Sequence, residues 1–234
     1  MDQKRLHLFA GHYGCGKTNI AVNYALHLAG KGKQVCIADL DIVNPYFRTA
    51  DSAAELEKAG VRLISPQFAN TNVDLPALPA EAYRLVTDGS IYGIMDIGGD
   101  DRGAYALGRY TPYIRDENNY RMIYVANCYR PLTRTAEDAL EIMHEIEAAC
   151  SLKFTDIINN SNLGSETTAQ TVLDSVAFIE QLSQLSQLPV FLHTVKADIA
   201  EAVRQKLPNV FPLMLQEKYF DLPTQRPGTL PLWG

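Results

Sequence analysis

The chain has 234 residues, with 21 Lys and Arg against 27 Asp and Glu, and a formal charge of −6. This length suits one α/β domain with a full core, so we expect residues 1–234 to form a single domain. The acidic balance argues against a general nucleic-acid binder, whose affinity depends on clustered Lys and Arg. No run approaches the roughly eighteen apolar residues of a membrane span, so we predict a cytoplasmic protein.

Strand-like and helix-like runs alternate along the chain, which is typical of a mostly parallel sheet with helices on both faces. The predicted strands lie at 6–10, 34–38, 61–64, 91–96, 122–126, 156–159 and 190–193. The predicted helices lie at 18–29, 49–59, 80–86, 135–150, 168–185 and 198–206. The proline-rich segment from about residue 207 is expected to be an irregular tail.

The turn between the first predicted strand and helix fits the phosphate-binding pattern G-x-x-x-x-G-K-[ST]. Glycines in such a turn let backbone N–H groups approach phosphates, and the following helix N-terminus favours the anion. Lys17 supplies an ammonium for the β and γ phosphates, and Thr18 a hydroxyl of the kind that ligates Mg²⁺. The candidate nucleotide-binding residues here are Gly11, His12, Gly14, Cys15, Gly16, Lys17, Thr18 and Asn19.

Acidic residues follow two further predicted strands. Asp39 and Asp41 are spaced to point the same way, so one can hold metal-bound water while the other orients an attacking water. Asp96 ends the run at 91–96 as a Mg²⁺-holding acid should, and Gly99 is placed to offer its N–H to a γ-phosphate. We therefore predict Thr18, Asp39 and Asp96 as the residues that organise Mg²⁺.

The order of phosphate loop, Asp-x-Asp and Asp-x-x-Gly resembles the MinD/ParA-like (SIMIBI-class) branch of the P-loop NTPases. The resemblance spans roughly residues 5–200. It implies a P-loop three-layer α/β/α sandwich with about seven or eight mostly parallel strands, bound Mg²⁺ and ATP, and often a homodimer closed over two nucleotides. In such relatives the second acid of the pair positions the water, so the resemblance points to Asp41. Lys17, which would stabilise the β and γ phosphates, is the other predicted catalytic residue. His12 stands where MinD-type loops carry an additional signature lysine.

The residues at 159–162 read Asn-Asn-Ser-Asn, where guanine-specific relatives use N-K-x-D. Asn159 matches the asparagine that contacts the base in several ATP-using relatives. Asn162 takes the place of the carboxylate that favours guanine, so ATP is predicted over GTP. Cys15 precedes a helix N-terminus, where a thiol pKa tends to fall, so oxidation that blocks nucleotide entry is one idea for this cysteine, beside an ordinary place in the loop.

Three functions remain open from the sequence. The first is an ATPase whose ATP and ADP states regulate a protein partner, as in the MinD/ParA-like relatives. The second is an ATP-dependent ligase or synthetase resembling dethiobiotin synthetase, which also lacks the extra lysine. The third is a module that binds ATP without hydrolysis. The segment Asn44 to Arg48 lies where a switch loop senses the γ-phosphate.

Overall fold

The computed structural model describes residues 4–40, 52–64, 80–99 and 101–214. Within these ranges the chain forms the strands β1 (Leu6–Ala10), β2 (Val35–Leu40), β3 (Arg62–Ile64), β4 (Tyr92–Ile97), β5 (Tyr120–Ala126), β6 (Asp156–Asn159), β7 (Val190–Lys196) and β8 (Val210–Leu213). The α-helices of the same ranges are α1 (Lys17–Gly30), α2 (Ala53–Lys58), α3 (Tyr83–Thr87), α4 (Asp101–Gly108), α5 (Thr111–Glu117), α6 (Ala136–Cys150), α7 (Ala169–Asp174), α8 (Val176–Ser186) and α9 (Ala200–Arg204).

The strands form one eight-stranded sheet in the order β3-β2-β4-β1-β5-β6-β7-β8. Every neighbouring pair runs parallel. β1 lies in the middle and is buried along its whole length, as expected for a parallel strand covered on both faces. All carboxyl ends therefore meet at one edge of the sheet, which is where open α/β sheets bind their ligands.

Alternate side chains of β1 enter two different cores. Leu6, Leu8 and Ala10 pack with apolar residues of α4, α6 and α8 on one face of the sheet. Phe9 packs on the other face with residues of α1, including Leu28. The sheet is thus the middle layer of the predicted three-layer α/β/α sandwich.

The seven predicted strands are all present, and the structure adds an eighth. β8 lies inside the segment predicted to be an irregular tail from about residue 207, so that prediction is wrong for residues 210–213. Phe211 and Leu213 alternate inward in this strand and join the α1 core, which is what makes a short edge strand stable. The remainder of the predicted tail, 215–234, lies outside the described residues.

The predicted helix at 168–185 is two helices separated at Ser175. The Ser175 hydroxyl donates to the Val172 carbonyl at 2.6 Å and accepts from Asn159 Nδ2 at 2.9 Å. This hydroxyl accepts a hydrogen bond from a buried amide at the end of β6. The residue between the two helices therefore contacts the edge of the sheet. α4 and α5 had no counterpart among the predicted helices.

His7 is a buried histidine of β1, with Nε2 3.1 Å from the Tyr24 hydroxyl of α1. Burial lowers the pKa of His7 to about 3, and the Arg121 guanidinium of β5 adds to the effect. The imidazole is therefore neutral in the folded protein at neutral pH.

Acid is expected to destabilise the fold through His7. The unfolded chain binds a proton at this residue below its ordinary pKa of 6.5, whereas the folded chain does not until about 3. The free energy of unfolding should consequently fall by about 2 kcal/mol between pH 7 and pH 5 from this group. Urea denaturation over this range should give a flatter pH dependence for His7→Gln. The exposed His144→Gln is the control and should keep the wild-type slope, and an unchanged slope in His7→Gln would contradict the assignment.

Candidate functional site

The phosphate loop connects β1 to α1 at the carboxyl edge of the sheet. Gly14 and Gly16 have φ of +74° and +90°, a left-handed region that disfavours side chains. A Cβ atom on Gly16 would also lie 2.3 Å from Asn160 Nδ2, so only glycine fits there. α1 begins directly after Gly16, without a side-chain cap and without an acid in its first turn. Its N-terminal N–H groups are consequently placed to bind an anion.

Lys17 folds back over this loop. Its side chain is buried at 6% exposure, and Nζ donates to the His12 carbonyl at 3.3 Å. Thr18 and Asn19, the next two residues of α1, are half-buried beside it. The ammonium is therefore held within the loop, and its binding of phosphate stays a prediction.

Asp39 and Asp96 meet at the ends of neighbouring strands. β2 and β4 place the two residues directly opposite each other in register, and both are buried. Asp96 is also opposite Phe9 of β1, two residues before the phosphate loop begins. Two carboxylates and the Thr18 hydroxyl are hard oxygen donors of the kind that hold Mg²⁺ together with nucleotide phosphates. The donor set therefore fits the predicted magnesium site, and the described residues contain no alternative cluster of three His, Cys, Asp or Glu.

Gly99 lies against the phosphate loop. A Cβ atom on Gly99 would be 2.6 Å from the Tyr13 backbone nitrogen and 2.9 Å from Lys17 Nζ. The segment that follows Asp96 is thus in contact with the residues expected to hold the terminal phosphates. Glycine is required for that approach, and the N–H donation to a γ-phosphate stays a prediction.

Asn159 is placed differently from the prediction. Its side chain is fully buried, with Nδ2 on Ser175 and beside His193 Nδ1, and Oδ1 accepting from the Ser161 backbone. Burial also lowers the pKa of His193, so this partner is neutral at neutral pH. The amide is committed to the core because alternate residues at the end of β6 point in opposite directions. Base contact by the Asn159 side chain is therefore not supported by its position.

Asn160 faces the phosphate loop instead. Its Nδ2 donates to the Cys15 carbonyl at 2.7 Å, and its Oδ1 accepts from the Thr194 hydroxyl of β7 at 2.7 Å. The amide thereby fixes the loop to two strands. Sequence reasoning missed this residue, although the Asn-Asn pair at the end of a strand was the available clue.

The sulfur of Cys15 faces the core. Cys15 is 1% exposed, and burial raises the pKa of its thiol in spite of the nearby Lys17 ammonium. The idea that the helix N-terminus activates this cysteine for oxidation is therefore not supported. Its backbone carbonyl still belongs to the loop through Asn160. His12 has its ring Nδ1 3.0 Å from the Tyr13 carbonyl and stays half-exposed.

An open cavity lies beside the phosphate loop. Its described lining comes from the phosphate loop, the first turn of α1, the segments after β5 and β6, α7, and the ends of β7 and β8. The lining residues are Gly14, Gly16, Asn19, Arg130, Asn160, Ser161, Asn162, Gly164, Thr167, Val172, Thr194, Val195, Lys196 and Leu213. Arg130 is the second residue of this site that sequence reasoning did not find.

Asp41 lies outside the described residues, as do the switch segment 44–48 and the last twenty residues, 215–234. The structure thus brings together the phosphate loop, Asp39, Asp96 and Gly99. Among the described helices, none is long and apolar enough to cross a membrane.

No family model and no curated protein matches the sequence. Solved structures do resemble the chain. The signal recognition particle 54 kDa protein from Aeropyrum pernix, in complex with GDP, has a TM-score of 0.52 and 16% identity, covering 82% of this chain and 41% of that one. FtsY from Mycoplasma mycoides has a TM-score of 0.53 and 16% identity, covering 83% and 60%. FtsY from Thermotoga maritima has a TM-score of 0.51 and 18% identity, covering 82% and 62%.

The chain thus spans less than two thirds of the length of these structures, and identities this low establish likeness of fold. The fold is the α/β fold of the P-loop nucleoside triphosphatases. The neighbours are a signal recognition particle protein and FtsY proteins, so they agree with the broader P-loop class and do not single out its MinD/ParA-like branch.

Proposed function

We propose that this chain is a Mg²⁺-dependent ATPase that acts as a nucleotide switch on a protein partner in the cytoplasm. The observation that carries the proposal is the contact of Gly99 with Tyr13 and Lys17 at the carboxyl edge of the sheet. This contact joins the segment after Asp96 to the residues that would hold the terminal phosphates. A change in the γ-phosphate therefore has a direct mechanical path to a loop that leads into α4.

The residues have separable roles in this proposal. The glycine-rich loop and the N-terminus of α1 bind the phosphates, and Lys17 neutralises charge on the β and γ groups. Thr18, Asp39 and Asp96 would hold Mg²⁺, which supplies electrostatic stabilisation of the phosphates when bound. Gly99 would donate its backbone N–H to the γ-phosphate. Asp41 is proposed as the residue that orients the attacking water, by resemblance alone.

Adenine is favoured over guanine by the chemistry of the cavity. Guanine presents an N1–H and an amino group, which a carboxylate accepts well. The described lining of the cavity contains no Asp or Glu, and Asn162 stands at the position expected for the carboxylate. Asn162 is also engaged internally, because Nδ2 donates to the Asn160 carbonyl at 2.7 Å and Oδ1 accepts from Gly164 N at 3.1 Å. The GDP in the Aeropyrum pernix structure was bound by that protein, and it says nothing about the base that this chain binds.

The homodimer implied by the MinD/ParA-like resemblance is a separate proposal. His12 occupies the position of the lysine that reaches across such dimers, and its ring is half-exposed. Light scattering with and without ATP would measure the change in mass. A monomer in both states would leave the switch proposal standing and remove the dimer.

Calorimetric titration with ATP, ADP and GTP in Mg²⁺ tests the proposed function, with released phosphate assayed on the same samples. The expected result is ATP binding with slow phosphate release and weaker binding of GTP. Binding without any release would favour the ligase, which waits for a co-substrate, or the non-hydrolysing module. Preference for GTP would overturn the argument from Asn162, and no triphosphate binding would overturn the proposal.

A further inference from the structure

Arg130 lies in a well-fixed loop after β5, the strand that pairs with β1 on the side away from β4. The Arg130 backbone N–H donates to the Asn127 carbonyl at 3.2 Å, and the Thr133 hydroxyl donates to the same carbonyl at 2.7 Å. Asn127 Oδ1 in turn accepts from the Tyr129 backbone at 3.0 Å. The loop backbone is thus held by several hydrogen bonds, so the position of Arg130 is determined by its surroundings.

The guanidinium of Arg130 packs on the phosphate loop. The position of a Cβ atom on Gly14 is 3.8 Å from Arg130 Nε and 4.0 Å from its Cζ. Arg130 Nε is buried and has no hydrogen-bond partner among the described residues. The buried Arg5 is treated differently, since it pairs with Glu117 and donates to two carbonyls. Arg130 as a whole is half-buried and lines the cavity, so its side chain is within reach of a ligand there.

The charge of the cavity points to an anionic ligand. Among its described lining residues the charged side chains are Arg130 and Lys196, and both are cations. Lys196 Nζ lies 3.8 Å from the Asp198 carboxylate, whereas none of the ion pairs formed by the described residues includes Arg130. Arg130 therefore contributes the uncompensated positive charge of this cavity, next to a loop whose N–H groups favour phosphate.

We infer that Arg130 binds the polyphosphate of the bound nucleotide in cis, from the Gly14 side of the loop. This inference rests on the proposed nucleotide binding and adds a residue to it. Guanidinium binds phosphate oxygens in a fixed, bidentate geometry that an ammonium lacks, so Arg130 and Lys17 have complementary roles. Arg130 supplies positive charge within one chain, and a partner subunit is not needed for it.

The test compares Arg130→Gln with Arg134→Gln, which removes an exposed arginine from the same loop region. Affinities for ATP and ADP are measured by calorimetry, and inorganic tripolyphosphate is used as a competitor of ATP. We expect Arg130→Gln to weaken all three ligands by about 10- to 100-fold, as for the loss of a charge-assisted contact. Arg134→Gln should bind as the wild type does.

Unchanged ATP affinity in Arg130→Gln would overturn the inference. Weaker nucleotide binding with unchanged tripolyphosphate competition would also overturn it, because the contact would then be to base or ribose. The inference would also be overturned if tripolyphosphate did not displace ATP from the wild type. A polyphosphate that Arg130 and the loop hold should bind without the base and ribose. Arg130→Lys, expected to lie between Gln and wild type, provides a second variant if Arg130→Gln does not fold.

Lys17→Ala, measured in the same experiment, tests the proposed nucleotide binding separately from the role of Arg130. If Lys17→Ala loses ATP and Arg130→Gln does not, the inference about Arg130 fails and the proposed function stands. If neither substitution changes ATP binding, the proposed function fails with it.

Discussion

Replacing Lys17 with alanine is expected to weaken ATP binding at least about 100-fold without unfolding the protein. The ammonium is held inside the phosphate loop by the His12 carbonyl, where it would make charge-assisted contacts to two phosphates. Each such contact contributes about 1.5–3 kcal/mol, and 1.4 kcal/mol is a tenfold change in affinity. Calorimetric titration of wild type and variant with ATP in Mg²⁺ measures the loss.

The thermal stability of ligand-free Lys17→Ala is a separate observable. Removing a charge that is 6% exposed relieves its desolvation, so the variant should melt at or above the wild-type temperature without nucleotide. With saturating ATP the wild type should gain stability and the variant should not. Lys31→Ala, which removes an exposed lysine after the far end of α1, should bind and melt as the wild type does. Retained ATP affinity in Lys17→Ala would contradict the assignment of the phosphate loop.

Gly99→Ala is expected to reduce phosphate release by about 100-fold or more while leaving ADP binding nearly unchanged. The added methyl group would lie 2.6 Å from the Tyr13 nitrogen and 2.9 Å from Lys17 Nζ, so the segment after Asp96 must move away. Its N–H would then no longer reach the γ-phosphate. Losing one oriented donor to transition-state charge lowers a rate by about 10²–10³.

Gly108→Ala is the matched control for this substitution, because a Cβ atom there meets nothing within 4 Å. It should release phosphate at the wild-type rate. A single-turnover assay for phosphate, with ATP and ADP titrations of the same proteins, distinguishes the outcomes. Wild-type turnover by Gly99→Ala, or equal loss of ATP and ADP binding, would count against a γ-phosphate contact by this segment.

The sheet could be predicted because its strands are buried on both faces and therefore appear as short apolar runs. β1 and β6 have the predicted bounds, and the other predicted strands differ only at their ends. β8 was missed because it has only four residues, lies at the edge of the sheet and contains a proline. α4 and α5 were missed for a related reason, since both are short helices with glycine or proline close to their ends.

The phosphate loop could be predicted because each of its positions has a local requirement, such as glycine where φ is positive. Asn160 and Arg130 could not, because their roles depend on contacts with residues far away in sequence. The choice between Asn159 and Asn160 depends on which of two adjacent side chains faces the loop, and that is decided by the pleat of β6. Arg130 has no motif of its own, and only the packing of its guanidinium on Gly14 distinguishes it from surface arginines.

The central position of β1 has a consequence for the order in which the protein can be made. β1 comes first among the described strands, but its neighbours are β4 and β5, which end at Ile97 and Ala126. The Asn160 amide that fixes the phosphate loop follows later still. During synthesis the phosphate loop therefore waits for about 150 further residues to leave the ribosome, and such long-range pairing folds slowly. Nascent chains that stop before β6 should fail to retain ATP, although they contain the whole phosphate-loop motif.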